Sequence, residues 1–196
     1  MNVTFNVLGV AGSTRQGSYS TQTLKIVLED AKKHGAEVRL LELNRIVLPL
    51  YNPSASASKE VEHTAEAVAW ADAFILTSPD YHGSMSGALK NFLDHFYEEF
   101  AGKLFGYIVA SHEKGLTVME QMRTVVRQCY GWSLPYGVSI NGPQDFTSRE
   151  LLNPRLSSRL QMMARDLVVY GKLVRNQFMR DLGSSEPDTF AAHYRP

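Results

Sequence analysis

The stretch Phe5-Asn6-Val7-Leu8-Gly9-Val10-Ala11-Gly12-Ser13-Thr14-Arg15-Gln16-Gly17-Ser18-Tyr19-Ser20 joins a short apolar run to a turn of glycines and hydroxyls. A run of that length, bounded by Gly and Ser, reads as a buried strand over Phe5 to Val10. Beyond the turn, Leu24, Val27, Leu28 and Ala31 recur at the spacing of one helix face. Strand, glycine turn, helix is the opening of a βαβ unit.

The same alternation continues outward. Apolar runs over Glu37 to Leu43, Ala73 to Thr77, Leu104 to Ala110 and Tyr136 to Ile140 predict four more strands. Phe74-Ile75-Leu76 and Tyr107-Ile108-Val109 are apolar without alternation, as in strands buried on both faces of a parallel sheet. Helical stripes lie between and after them: Val61, Ala65 and Val68 within Lys59 to Trp70; Met85, Ala88, Leu89, Phe92, Leu93 and Phe96; Met119, Met122, Val126 and Cys129; Leu156, Leu160, Met163, Leu167 and Tyr170. Thr147-Ser148-Arg149-Glu150 has the form of a capping box, which predicts the start of the last helix there. Repeated strand–helix pairs with right-handed crossovers give a doubly wound α/β sheet with helices on both faces. Five strands favour the flavodoxin-like order 2-1-3-4-5. One domain over residues 1–175 is expected. The helical pattern fades from Asn176, so residues 176–196 read as a loosely packed tail.

Composition narrows the function. The chain has 196 residues, 44% of them hydrophobic, and 20 basic residues balance 20 acidic ones. A balanced charge argues against a nucleic-acid partner, because binding phosphates needs an excess of Lys and Arg. No apolar run approaches the ~20 residues of a membrane span, and the N-terminus lacks the basic start of a signal peptide. A cytoplasmic protein is the expectation. A single cysteine, Cys129, excludes an internal disulfide, and the six histidines show no ligand-pair spacing, so no metal is expected.

Ligands of doubly wound sheets bind beyond the carboxyl ends of the strands, which directs attention to three loops. The loop after the first strand combines glycines, hydroxyls, Arg15 and a helix start, the groups that a phosphate of about −1.5 to −2 charges needs. It lacks the Lys of a Walker A motif, the spacing of the dinucleotide fingerprint and the cysteine of a phosphatase loop. A tightly held terminal phosphate, as in a mononucleotide cofactor, remains. After the third strand, Pro79-Asp80-Tyr81-His82-Gly83-Ser84 offers flat rings and backbone donors to a planar heteroaromatic ligand. The nearby Gly83-Ser84-Met85-Ser86-Gly87 is no nucleophile elbow, since its middle residue is Met85. After the fourth strand, Ser111 and His112 can line the same crevice.

Together, Gly12-Ser13-Thr14-Arg15-Gln16-Gly17-Ser18 and the unbroken string from Pro79 to Asp94 resemble the NADPH-dependent FMN reductase family. The resemblance extends over residues 3–172. It implies that Ser13, Arg15, Ser18 and Ser20 hold the phosphate of FMN, while Pro79, Asp80, Tyr81, His82, Gly83 and Ser84 surround the isoalloxazine. It also implies NADPH (or NADH) as donor, a small acceptor such as a flavin, quinone, azo compound or metal oxyanion, and a ping-pong scheme. A homodimer or homotetramer follows from it too, with Phe92, Phe96, Tyr97 and Phe100 offering the contact surface. No catalytic side chain is assigned, because the flavin carries the redox chemistry. The chain departs from the family in having Asp80 for the usual Glu, His82 where Asn is common, and Ser111 to Gly115 in place of a glycine-rich loop. The alternative is a flavodoxin-type electron carrier or a non-catalytic flavin-binding module; the balanced charge speaks against a carrier, which relies on acidic steering.

Overall fold

The computed structural model describes residues 4–147 and 150–195. β1 (Phe5–Ala11), β2 (Ala36–Glu42), β3 (Ala73–Pro79) and β4 (Leu104–Ala110) run parallel in the order β2-β1-β3-β4. The fifth position is shared by β5 (Trp132–Ser133), paired with Leu104 and Phe105, and β6 (Val138–Ile140), paired with Ile108 to Ala110. The strand expected over Tyr136 to Ile140 is thus shorter and belongs to a broken edge. Pro135 lacks the N–H that a ladder requires, so pairing lapses there and resumes at Val138.

The helices are α1 (Tyr19–Lys33), α2 (Lys59–Trp70), α3 (Gly87–Asp94), α4 (Leu116–Gln128), the short α5 (Gly142–Asp145) and α6 (Pro154–Gly183). Alternate strand residues divide the interior into two layers. Phe5, Val7 and Ile75 pack with Leu24, Val27, Leu160 and Leu167 of α1 and α6. Leu8, Val10, Phe74 and Leu76 pack with Leu89, Phe92 and Met122 of α3 and α4 on the opposite face. Both layers are lined by buried apolar side chains, which is why the central strands read as unbroken apolar runs. Within the second layer, Phe74 stacks on Phe105 at 4.7 Å and meets Phe100 edge-on at 5.3 Å. Phe92, Phe96 and Phe100 are therefore buried, and the contact surface expected of them is reduced to Tyr97, which is exposed. Cys129 is also core, its thiol pushed up by burial.

Two features of the C-terminal third differ from expectation. The last helix does not start at Thr147. Phe146–Thr147 (β7) and Glu150–Leu151 (β8) pair antiparallel instead, and Ser148 and Arg149 lie outside the described residues. Asn153 caps α6, accepting from the Arg155 and Leu156 amides, and Pro154 supplies a preset first helical residue. The helix then continues past Asn176 to Gly183 rather than fading into a loose tail. In its second half Val174, Phe178 and Leu182 keep one half-buried apolar face, while Leu173, Asn176, Gln177, Met179 and Arg180 are exposed. After it, a 3-10 turn over Phe190–Tyr194 folds back onto Phe178, and Arg195 donates to the Asp181 and Glu186 carbonyls at 2.7 Å each. No helix among the described residues is long and apolar enough to cross a membrane.

At the amino end of β4, Lys103 donates to the Val68 carbonyl at 2.9 Å and lies against the Phe74 ring. Burial lowers its ammonium to about 8, against a smaller opposing pull from Asp72 and Glu99. The unfolded chain holds that proton up to about pH 10.4, so between these values unfolding takes up a proton and stability rises with pH. Thermal unfolding of the wild type and of Lys103→Met at pH 7.5 and 9.5 should show a relative gain of about 1–3 kcal/mol for the wild type at the higher pH.

Candidate functional site

β1 and β3 are neighbours in the sheet although β2 lies between them in sequence, so the chain leaves β1 and β3 toward opposite sides. A cleft of about 360 Å³ opens at their carboxyl ends, and Ser13, Arg15, Ser18, Ser20, Pro79, Asp80, Tyr81, Ser111 and His112 line it. His82 and Gly83 stand in an adjoining hollow of about 780 Å³ that shares Asp80, Ser111 and His112 with the cleft. Ser84 lines neither. Gln16, Gln22, Ala110 and Pro143 complete the cleft without having been expected, as do Tyr19 and Gly142. The last two are a matched pair: a Cβ on Gly142 would lie inside the Tyr19 ring, so only glycine admits that ring there.

One half of the cleft gathers backbone N–H groups at the start of α1. Ser18 caps α1, accepting from the Thr21 amide at 3.3 Å, with the Ser20 and Thr21 hydroxyls at 3.2 and 2.8 Å from its oxygen. Among the described residues, the amides of Gly17, Ser18, Tyr19 and Ser20 have no acceptor in the protein. These amides stand at the positive end of a helix of 15 residues. Ser13 and Ser20 are buried, whereas Arg15 is exposed at the rim and makes no ion pair among the described residues. Gln22 donates to the Gly17 carbonyl at 2.7 Å, and its buried Oε1 has no partner among the described residues. That unpaired acceptor calls for a donor, such as a hydroxyl of a ligand or a water.

The other half is a tight hairpin. Tyr81 and Ser84 exchange both backbone hydrogen bonds, at 3.0 and 3.1 Å. Between them His82 and Gly83 have φ of 58° and 76°, the pattern of a type I′ turn. Glycine is at home there; a non-glycine residue is held only by its surroundings. Asp80 supplies part of that hold. Its Oδ1 accepts from the Gly83 amide at 2.8 Å and its Oδ2 from the Ser111 hydroxyl at 2.9 Å. One carboxylate thereby ties the β3 loop to the β4 loop. Tyr81 keeps its ring 47% exposed at the rim, enough to offer a stacking face.

Gly12 brings the two halves together. Its amide donates to the Thr77 carbonyl at 2.9 Å, and its carbonyl accepts from the Ser86 hydroxyl at 2.6 Å. Ser86 in turn caps α3 through the Leu89 amide. A Cβ on Gly12 would stand 2.5 Å from the Thr77 oxygen and 2.9 Å from the Leu89 Cβ. The turn that follows β1 can touch the start of α3 only because residue 12 has no side chain.

The sequence pattern of the NADPH-dependent FMN reductases matches residues 5–144, spanning both halves of this rim. The chain belongs to that family. Among individual relatives, the FMN-dependent NADPH-azoreductase of Staphylococcus aureus is 29% identical over 151 residues, covering 72% of this chain and 79% of the relative. Two solved structures share the fold. FerB, a flavoenzyme NAD(P)H:(acceptor) oxidoreductase from Paracoccus denitrificans, superposes with a TM-score of 0.74 at 18% identity, over 86% of this chain and 98% of FerB. The apo NADH:FMN oxidoreductase EMOB gives 0.68 at 18% identity over 95% and 94%. The expected pairing of FMN with NADPH is the one for which the family and the azoreductase are named. Against the family background, the Asp80 and Ser111 departures form a bonded pair at 2.9 Å. His82 occupies a left-handed position that Asn also tolerates.

Gly12→Ala should lower stability by about 1–3 kcal/mol, because backbone and a packed side chain must both retreat. At Gly87, the first position of α3, an added methyl would meet nothing within 4 Å, so Gly87→Ala should be neutral. Urea unfolding of the two variants measures the contrast.

Proposed function

We propose that the enzyme takes a hydride from NADPH onto FMN and passes two electrons to a small acceptor, a flavin, quinone, azo compound or metal oxyanion, in ping-pong order. The observation that supports this reading is the Gly12 contact, which holds the free amides at the start of α1 and the Pro79–Ser84 turn at one rim. Bound FMN supplies the hydride acceptance and electron delivery that no side chain of the rim can supply.

The chain's own residues hold and orient. Ser18, Ser20 and Arg15 would hold the phosphate, together with the four free amides at the start of α1, which supply hydrogen-bond donors and positive charge. Pro79, Asp80, Tyr81 and His112 frame the ring end, and Ser13 lies between the two. The amides of His82 and His112, without acceptors among the described residues, would be the donors for the polar edge of the ring, where donors favour added negative charge. None of these residues needs to act as a proton-transferring acid or base. The balanced charge of the chain supports a small-molecule substrate over a nucleic acid, and we place the enzyme in the cytoplasm as a homodimer or homotetramer.

Purified protein should be yellow, or bind added FMN with a rise in melting temperature, and should consume NADPH with a quinone and no partner protein. Arg15→Ala and Ser18→Ala should each raise the FMN dissociation constant about 10- to 100-fold, the loss of one charge-assisted bond. A wild-type protein whose melting temperature and fluorescence ignore FMN would overturn the reading.

A further inference from the structure

We infer that Gln121 is a positioning residue for the flavin, holding the His82–Gly83 turn so that one backbone N–H remains available to the ring. The inference rests on the FMN reading above and adds to it a residue that touches neither hollow of the site.

Gln121 sits in α4, far along the chain from the turn that it serves. Its Oε1 accepts from the Ser84 hydroxyl at 3.0 Å and from the Met85 amide at 2.9 Å, and its Nε2 donates to the Gly83 carbonyl at 3.4 Å. Ser84 therefore points at α4 rather than at the cleft. On the turn's other side Asp80 accepts from the Gly83 amide. The hairpin bonds themselves use the Tyr81 and Ser84 amides. Across residues 81–85, only the His82 amide has no acceptor among the described residues. The clamp from α4 and the clamp from Asp80 thus saturate the backbone amides of the turn but one, leaving the His82 N–H as its single free backbone donor among the described residues.

A non-glycine residue at φ 58° needs such over-determination. With Gln121 gone, the Met85 amide and the Ser84 hydroxyl lose their acceptor, and the turn has only Asp80 and its own two bonds. A donor that wanders favours the oxidised ring less, and favours the electron-rich reduced ring less still.

Gln121→Met keeps length and neutrality while removing the hydrogen bonds; Gln121→Glu keeps an acceptor for both Ser84 and Met85. FMN affinity by fluorescence titration, the visible spectrum and the anaerobic midpoint potential are measured for wild type and Gln121→Met, and affinity for Gln121→Glu. Urea unfolding without FMN establishes that each variant is folded. The expected results are an FMN dissociation constant raised about 10-fold in Gln121→Met, a midpoint shifted to more negative potential, and affinity restored to within a few-fold of wild type in Gln121→Glu. Wild-type affinity and potential in Gln121→Met, or equal losses in the two variants, would overturn the positioning role while leaving the FMN reading intact. Failure of the wild type to bind FMN would instead remove the FMN reading and this inference with it.

Discussion

The site depends on the absence of one side chain. Because residue 12 carries no Cβ, the end of β1 comes within hydrogen-bonding distance of the end of β3, and its carbonyl reaches the hydroxyl that caps α3. Two loops that leave the sheet toward opposite faces are thereby held at one rim. The free amides at the start of α1 come from one of them and the His82–Gly83 turn from the other. Neither loop is a complete site, and their fixed separation is a property of this contact.

Rigidity beneath the rim comes from the two buried apolar layers on either side of the sheet. Strands packed on both faces cannot slide without opening apolar surface to water, at roughly 25 cal/mol per Å². The loops can therefore be strained and polar while their roots stay fixed. The strain is visible at His82, and so are the groups that restrain it: Asp80, itself bonded to Ser111 of the next loop, and Gln121 from α4. Electrostatic preorganisation of this kind suits a cofactor enzyme, in which the protein places and polarises a group that performs the chemistry.

The C-terminal third follows a different logic. β7 and β8 form a small antiparallel hairpin before α6, and Asp145 joins this region by accepting from the Asn141 amide and the Asn153 side chain at 2.7 and 2.9 Å. This is what brings Gly142 and Pro143 to the cleft, where Tyr19 packs against Gly142. A capping-box pattern at Thr147 competed with Asn153-Pro154 for the start of α6, and the proline, preset for the first helical turn, prevailed.

From the sequence alone came the strand–helix alternation and the sheet order, because burial on two faces and helix periodicity leave local signatures in residue type. Ser13, Arg15, Ser18 and Ser20 line one cleft because they lie in one continuous segment at the end of β1. What only the tertiary structure decided are relations between distant segments. That Ser84 turns to Gln121 rather than to the cleft, that Asp80 bridges to Ser111, that Phe92, Phe96 and Phe100 face inward and that α6 runs on to Gly183 are set by packing partners far away in the chain. A hydrogen bond over 37 residues of separation has no periodicity to betray it. Local pattern records what a residue is, and the folded sheet determines which neighbours it meets.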